Sequence, residues 1–243
     1  WQGFGVAQGL PDVLVRRLLA SRDGALWAGT SIGPARWNAA TQRFDAFSAL
    51  DGRAVQSYVT ALAEDAKGRI WIGTVAGLWL YEPGATGLLG IRHEPQRVAS
   101  LVSDTVIGLL VDHQQQLWVA TGQGLDRLLG YDSRKRQADF EHVQAISAQS
   151  GLHLDELGSN LLEDRQGRIW SESFVFDPQQ KRMNVLSRSE GMDLGTTWLG
   201  SFARTRDGLF LFGGTLGLAL VDPQRFAAWD DQPPLRASEF SLG

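Results

Sequence analysis

The sequence contains no cysteine among its 243 residues. Disulfide bonds, thiolate nucleophiles and cysteine-ligated metal sites are therefore excluded. A protein without disulfides fits either the cytosol or the periplasm, so this absence does not fix the compartment.

Long apolar runs and basic runs are also missing. The longest nearly apolar stretch, Leu209–Val221, is broken by three glycines and is too short to span a bilayer. Trp1-Gln2-Gly3-Phe4 lacks the basic start and apolar run of a signal peptide. The net charge is −4, and only three lysines accompany twenty arginines, with no cluster of either. We therefore expect no nucleic-acid partner and no membrane contact from this segment.

Recognisable catalytic and metal-binding motifs are absent from the sequence as well. The four histidines, at positions 93, 113, 142 and 153, show no metal-ligand spacing. No nucleophile-elbow sequence is present. The sequence thus predicts no metal, no cofactor and no catalytic residue.

Tryptophan, in contrast, is abundant, and four of the nine tryptophans stand in one recurring phrase. The clearest copy is Asp65-Ala66-Lys67-Gly68-Arg69-Ile70-Trp71-Ile72-Gly73-Thr74. The tryptophan position recurs every 41 to 52 residues, at Trp27, Trp71, Trp118, Trp170 and, with leucine in its place, Leu211. Repeats of about 40–50 residues with short strands are typical of β-propeller blades. The predicted fold is an all-β propeller of four-stranded blades, with five repeats visible.

The internal spacing of the repeat is tighter than its period. A glycine follows the tryptophan position by six residues at Gly33, Gly77, Gly124 and Gly217. Aspartates at positions 23, 65, 112, 164 and 207 are interpreted as five copies of one turn position. We expect the tryptophan to pack between neighbouring sheets. Trp1–Val6 is predicted to be an outer strand that either closes the ring against the last blade or follows earlier blades.

The segment from Asp65 to Leu78 resembles the propeller repeat of two-component regulators, which builds the periplasmic sensor region of bacterial sensor and hybrid histidine kinases. The resemblance recurs over about residues 10–225. It implies a part of a seven-bladed ring, followed by a β-sandwich, a membrane helix and a kinase. On this basis residues 1–230 are blades, and 231–243 are a linker or the start of the sandwich.

The same resemblance implies a non-catalytic, periplasmic module that senses a ligand. Propellers bind ligands where inter-blade linkers and the loops between second and third strands meet, and these segments vary most here. An aromatic ring with arginines and carboxylates suits an oligosaccharide or another small polar molecule. The candidate ligand-binding residues are Arg53, Tyr58, Arg97, Asp104, His153, Asp155, Glu156, Glu172 and Trp198.

Two alternatives remain open at this point. The first is a secreted propeller enzyme, a lyase or glycosidase acting on carbohydrate, for which Tyr58, Glu156 and Glu172 supply the acid and base groups. The second is a scaffold that binds protein, one option being a second copy of itself as a homodimer.

Overall fold

The computed structural model describes residues 1–143, 158–186 and 191–226, which form five antiparallel sheets in succession along the chain. The predicted all-β propeller is confirmed, and the sheets are called blades 1 to 5. Within each blade every strand pairs with the next one in sequence. The first strand of a blade is called its inner strand.

The strand boundaries agree with the predicted strands to within a few residues. Blade 1 contains β1 (Val15–Ala20), β2 (Leu26–Thr30), β3 (Gly33–Asn38) and β4 (Arg43–Ala46). Blade 2 contains β5 (Val59–Glu64), β6 (Ile70–Thr74), β7 (Gly77–Tyr81) and β8 (Leu89–Ile91). Blade 3 contains β9 (Val106–Val111), β10 (Leu117–Thr121), β11 (Gly124–Asp132) and β12 (Gln137–His142). Blade 4 contains β13 (Leu162–Glu163), β14 (Ile169–Trp170), β15 (Phe174–Asp177) and β16 (Arg182–Val185). Blade 5 contains, within the described ranges, β17 (Thr197–Arg204), β18 (Phe210–Gly214) and β19 (Gly217–Val221).

A buried aspartate organises the turn between the first two strands of blade 2. Asp65 Oδ1 accepts hydrogen bonds from the backbone N–H groups of Lys67 and Arg69, at 2.9 and 3.2 Å. Its Oδ2 accepts from Trp71 Nε1 at 2.9 Å and from Arg69 Nε at 2.6 Å. Asp112 and Asp164 bond to Trp118 and Trp170 in the same way. The aspartate and the tryptophan recur together because each satisfies the other's buried polar group.

The prediction that all five aspartates share one turn position is wrong. Asp23 and Asp207 stand two residues later in their turns, and the equivalent of Asp65 is Ser21 in blade 1 and Thr205 in blade 5. Ser21 Oγ and Thr205 Oγ1 make their hydrogen bonds to Ala25 and Leu209 of the same turns. A hydroxyl on a short side chain caps the turn but does not reach the indole six residues away.

The tryptophans pack between neighbouring blades, as predicted. Each ring lies 5.0–6.3 Å from an aromatic ring that follows in the chain: Trp27 and Tyr81, Trp71 and Tyr131, Trp118 and Phe176, and Trp170 and Phe210. All four tryptophans are buried. Aromatic burial between sheets is therefore the main stabilising contact from one blade to the next.

The predicted outer strand at Trp1–Val6 is wrong. Trp1–Gly5 contains no strand, and Val6–Gln8 forms a 3₁₀ helix. Phe4 packs edge-on against Trp37 and Phe44, at 4.9 and 6.0 Å between ring centroids. Blade 1 already has four strands, so these aromatic contacts hold the segment against that sheet. The predicted linker or sandwich at 231–243 lies outside the described residues.

Candidate functional site

The turns between second and third strands lie beside the residues that enter the inner strands. The N–H of Val75 bonds to the carbonyl of Tyr58 at 3.2 Å, and that of Gly122 to Thr105 at 2.9 Å. The N–H of Gly77 donates to the carbonyl of Asp104 at 2.6 Å, which joins the turn of blade 2 to the linker of blade 3. These turns and linkers together are called the linker face.

The threonine of the recurring Gly-Thr pair makes each of these turns rigid. Thr30, Thr74 and Thr121 are buried, and each donates its hydroxyl to the carbonyl of the glycine three residues on, at 2.7–3.0 Å. Each hydroxyl also accepts a backbone N–H of the same turn. The linker face of blades 1 to 3 is therefore a set of fixed turns, because no buried polar group of the threonine is left to rearrange.

Glu172 lies at the boundary between blades 4 and 5 and is buried. Its Oε1 accepts from the N–H and the hydroxyl of Ser159, at 3.1 and 3.2 Å, and from the hydroxyl of Thr197 at 3.2 Å. Its Oε2 accepts from the N–H of Asn160 at 3.0 Å. Four donors on one carboxylate stabilise its ionised form and tie the entries to two inner strands together.

Trp198 is brought next to this network. Asn160 donates its side-chain amide to the carbonyl of Trp198 at 3.1 Å and accepts the N–H of Gly200 at 2.7 Å. The indole of Trp198 is 58% exposed. Two of the predicted site residues, Glu172 and Trp198, are thus held together by Asn160 and Thr197, and the aromatic ring faces solvent.

Tyr58 and Asp104 lie on the linker face in separate surroundings. The guanidinium of Arg16 is 5.4 Å from the centre of the Tyr58 ring. Asp104 Oδ1 accepts the N–H of His93 at 2.7 Å. The neighbouring Arg92 lies 4.7 Å above the ring of Trp79, and burial lowers its pKa while the negative charge of Asp104 partly opposes that shift.

The two predicted arginines are each bonded to nearby acidic groups. Arg53 is exposed and its guanidinium pairs with Asp51 of the same loop at 2.5 Å. Arg97 pairs with Asp139 at 2.6 Å and with Glu94 at 3.1 Å. Since Asp139 belongs to the outer strand β12, Arg97 fixes the 92–104 segment to the edge of blade 3.

The other three candidates, His153, Asp155 and Glu156, lie outside the described residues. In the described part of the chain, no three histidine, aspartate or glutamate side chains are grouped as metal ligands.

Exposed apolar residues at the turn tips are a feature that the sequence analysis missed. Ile32, Val75 and Leu216 stand just before, or one residue further from, the recurring glycine, and about half or more of each side chain is exposed. The offset from the tryptophan position could have located them. Together with Trp198 they give the linker face apolar contact area between its polar groups.

One blade of this fold matches a known family model. Residues 55–76 match the model described as "Two component regulator propeller". The chain carries the two-component regulator propeller repeat. The match runs from the linker before Tyr58 through β5 and β6, so the resemblance found in the sequence is confirmed on blade 2.

Solved structures with this architecture share little sequence with the chain. PorZ of Porphyromonas gingivalis, a surface component of the type-IX secretion system, is 14% identical with a TM-score of 0.63; the match covers 91% of this chain and 34% of PorZ. Virginiamycin B lyase of Staphylococcus aureus is 9% identical with a TM-score of 0.56, covering 84% and 68%. The extracellular domain of BT3049 of B. thetaiotaomicron, described as a hybrid two component system, is 21% identical with a TM-score of 0.49, covering 88% and 34%.

At these identities the similarity shows the propeller fold alone. The chain spans about a third of the length of the PorZ and BT3049 structures. No curated protein matches the chain in sequence. Throughout the described ranges, no helix has the length and apolar character needed to cross a bilayer.

Proposed function

We propose that this chain is an extracytoplasmic, ligand-sensing propeller module of a two-component signalling protein and that it is not itself a catalyst. The observation that carries the proposal is the two-component regulator propeller repeat at residues 55–76, set within five blades of that architecture. BT3049, whose extracellular domain matches most of this chain, is itself described as a hybrid two component system.

The linker face is the proposed ligand site. Trp198 and Tyr58 offer aromatic surface, and the turn tips Ile32 and Val75 add apolar area around them. The hydrophobic face of a sugar ring packs on such surfaces, while its hydroxyls bond to neighbouring polar side chains. We therefore propose an oligosaccharide or a similar small polar ligand.

The bonding of the acidic groups supports binding rather than catalysis. Glu172 already accepts four hydrogen bonds, and Asp104 accepts the N–H of His93. A general acid or base needs an oxygen that can reach a proton on the substrate. Both carboxylates are instead engaged in joining one blade or linker to the next.

The test is calorimetric titration of the chain with a panel of neutral and uronic-acid oligosaccharides, with Trp198→Ala as the variant. We expect at least one ligand to bind and Trp198→Ala to weaken it by about tenfold or more. Leu220→Ala is the matched control, because Leu220 belongs to the same blade and is similarly exposed, at 62% against 58%, but lies on β19.

Two results would contradict the proposal. One is equal binding by wild type and Trp198→Ala, which would remove the linker face as the site. The other is turnover of a bound oligosaccharide, followed by chromatography of the reaction mixture, which would replace the sensor with an enzyme.

A further inference from the structure

A cavity of about 200 Å³ lies between blades 3 and 4, away from the linker face. Its base is formed by Trp118 and Phe176, whose rings meet edge to face at 5.7 Å between centroids. Its rim carries the charged side chains of Arg127, Glu141 and Lys181. The remaining lining residues are His142, Val143 and Pro178.

The boundary between blades 1 and 2 shows what can fill the equivalent space. There Phe47 stacks on Trp27, with ring centroids 5.0 Å apart and the planes only 14° from parallel. The same ring is 5.4 Å from Tyr81, the equivalent of Phe176. One side chain of the protein thus occupies this position as a stacked aromatic ring.

Val143 occupies the position of Phe47 in blade 3. The N–H of Phe47 bonds to the carbonyl of Pro34, and the N–H of Val143 bonds to Leu125, the residue in register with Pro34. Valine has no ring, so the indole of Trp118 lacks the stacked partner that Trp27 has. The cavity is therefore the space of one aromatic ring, and apolar cavities of about 150 Å³ accept benzene-sized rings.

The rim of the cavity has an excess of positive charge. Arg127 pairs with Glu141, and its buried Nε has no hydrogen-bond partner within the described ranges. Lys181 Nζ is 3.9 Å from Glu141, and its side chain is largely exposed. One carboxylate thus faces two permanent cations.

His142 at the same rim is bonded on both ring nitrogens. Nδ1 contacts Asp126 at 2.6 Å and Nε2 contacts the carbonyl of Val98 at 2.7 Å. Its charge is matched by Asp126, so the surplus cation at the rim is contributed by Lys181 and Arg127.

We propose that this cavity binds a small aromatic carboxylate, with its ring stacked on Trp118 and its carboxylate accepting hydrogen bonds from Lys181 and Arg127. Guanidinium and ammonium groups are the usual partners of a carboxylate, and the guanidinium can bind it in two contacts. This site is distinct from the linker face, so it stands or falls independently of the proposed function.

The experiment compares two probes of one shape and opposite charge, benzoate and benzamidine, by ligand-observed NMR and calorimetry on the whole chain. We expect benzoate to bind with a dissociation constant of about 1 mM or tighter, in the range open to a fragment of this size. We expect benzamidine to bind at least about tenfold more weakly, because it carries the charge of the rim.

Val143→Phe places the ring of Phe47 in the cavity and is expected to abolish benzoate binding and to raise the melting temperature. Leu186→Phe is the matched control, since Leu186 holds the equivalent position in blade 4, and it should leave benzoate binding unchanged. Lys181→Gln, at an exposed position, should weaken benzoate by several-fold without affecting folding.

Three results would overturn the proposal. They are no binding of benzoate to the wild type, equal binding to Val143→Phe, or benzamidine binding as tightly as benzoate. Should Val143→Phe fail to fold, the Lys181→Gln variant and the two probes still decide the question. A failure here together with oligosaccharide binding that depends on Trp198 would leave the proposed function intact.

Discussion

Blade 2 and blade 5 contain the same repeat but have different surroundings. In blade 2 every residue of β6 and β7 is buried. In blade 5 the corresponding strand β19 exposes Leu218 and Leu220 at 67% and 62%. A blade buries both faces of its sheet only where another blade packs on each side, so burial is set by the neighbours rather than by the repeat itself.

Blade 1 shows the same effect on its inner strand. Leu18 of β1 is 67% exposed, whereas Leu62, its equivalent in β5, packs against the core around Trp27. The turn chemistry differs in the same direction. Blades 2 to 4 have an aspartate bonded to the tryptophan, whereas blades 1 and 5 have serine or threonine there.

The largest test of this comparison is a leucine that occupies one position in both blades. Leu78 and Leu218 each follow the recurring glycine and pair with Gly73 and Gly213. We expect Leu78→Ala to lower the free energy of unfolding by about 3 kcal/mol, because it leaves a cavity in a packed core. Leu218→Ala should change it by less than about 0.5 kcal/mol.

Urea denaturation followed by tryptophan fluorescence measures both variants. Equal losses for the two leucines would mean that β19 is covered in solution, and the contrast between blade 2 and blade 5 would then disappear.

The second test concerns the two kinds of turn. Asp65→Ala removes the acceptor of Trp71 Nε1 and of Arg69, and it leaves these buried donors without partners. We expect a loss of about 2 kcal/mol. Asp23→Ala removes an exposed carboxylate that bonds to Arg36 and Ser21, and should cost about 0.5 kcal/mol.

The measurement is again the urea midpoint, with the Asp65→Asn variant as a control of shape. An Asp23→Ala variant as destabilised as Asp65→Ala would show that the serine-type turn depends on its aspartate as much as the aspartate-type turn does.

The repeat and the strands of this fold were predictable from sequence because they rest on local chemistry. The tryptophan, the turn glycine and the Gly-Thr pair each mark a fixed place in a blade, as Thr74 and Gly77 illustrate. The distinction between Asp23 and Asp65 was not predictable in the same way. Both precede a glycine, and only the hydrogen bond to Trp71 separates their roles.

The candidate site was predictable only in part. Spacing placed Tyr58 and Trp198 in the segments that form the linker face. The four donors that surround Glu172 come from two other chain segments, 159–160 and Thr197. The cavity beside Trp118 depends on Val143 standing where blade 1 has Phe47, a comparison that requires the strand register.

The smallest effect is expected from the buried Asp126–His142 pair of blade 3. The positions equivalent to Asp126 in blades 1 and 5 are Ala35 and Ala219, so the end blades have no counterpart. Burial lowers the pKa of His142, but the hydrogen bonds to Asp126 and the Val98 carbonyl outweigh it, and the net pKa is raised. Burial likewise raises the pKa of Asp126, against the hydrogen bonds from Val102 and His142.

A raised histidine pKa fixes the sign of the pH dependence. The folded protein holds the proton more tightly than the unfolded chain, so the contribution of His142 is complete below the ordinary histidine pKa of about 6.5 and is lost as the pH rises through the folded value. We therefore expect the urea midpoint to fall between about pH 6 and pH 9, and His142→Gln to flatten that fall.

His113 provides the control, because its pKa is raised by the hydrogen bond and charge of Glu163 at an exposed position. His113→Gln should flatten the pH dependence less than His142→Gln, since solvent screens the His113 pair. If the two variants behaved alike, the buried pair would add nothing beyond a surface ion pair, and the extra stabilisation assigned to blade 3 would be limited to its apolar core.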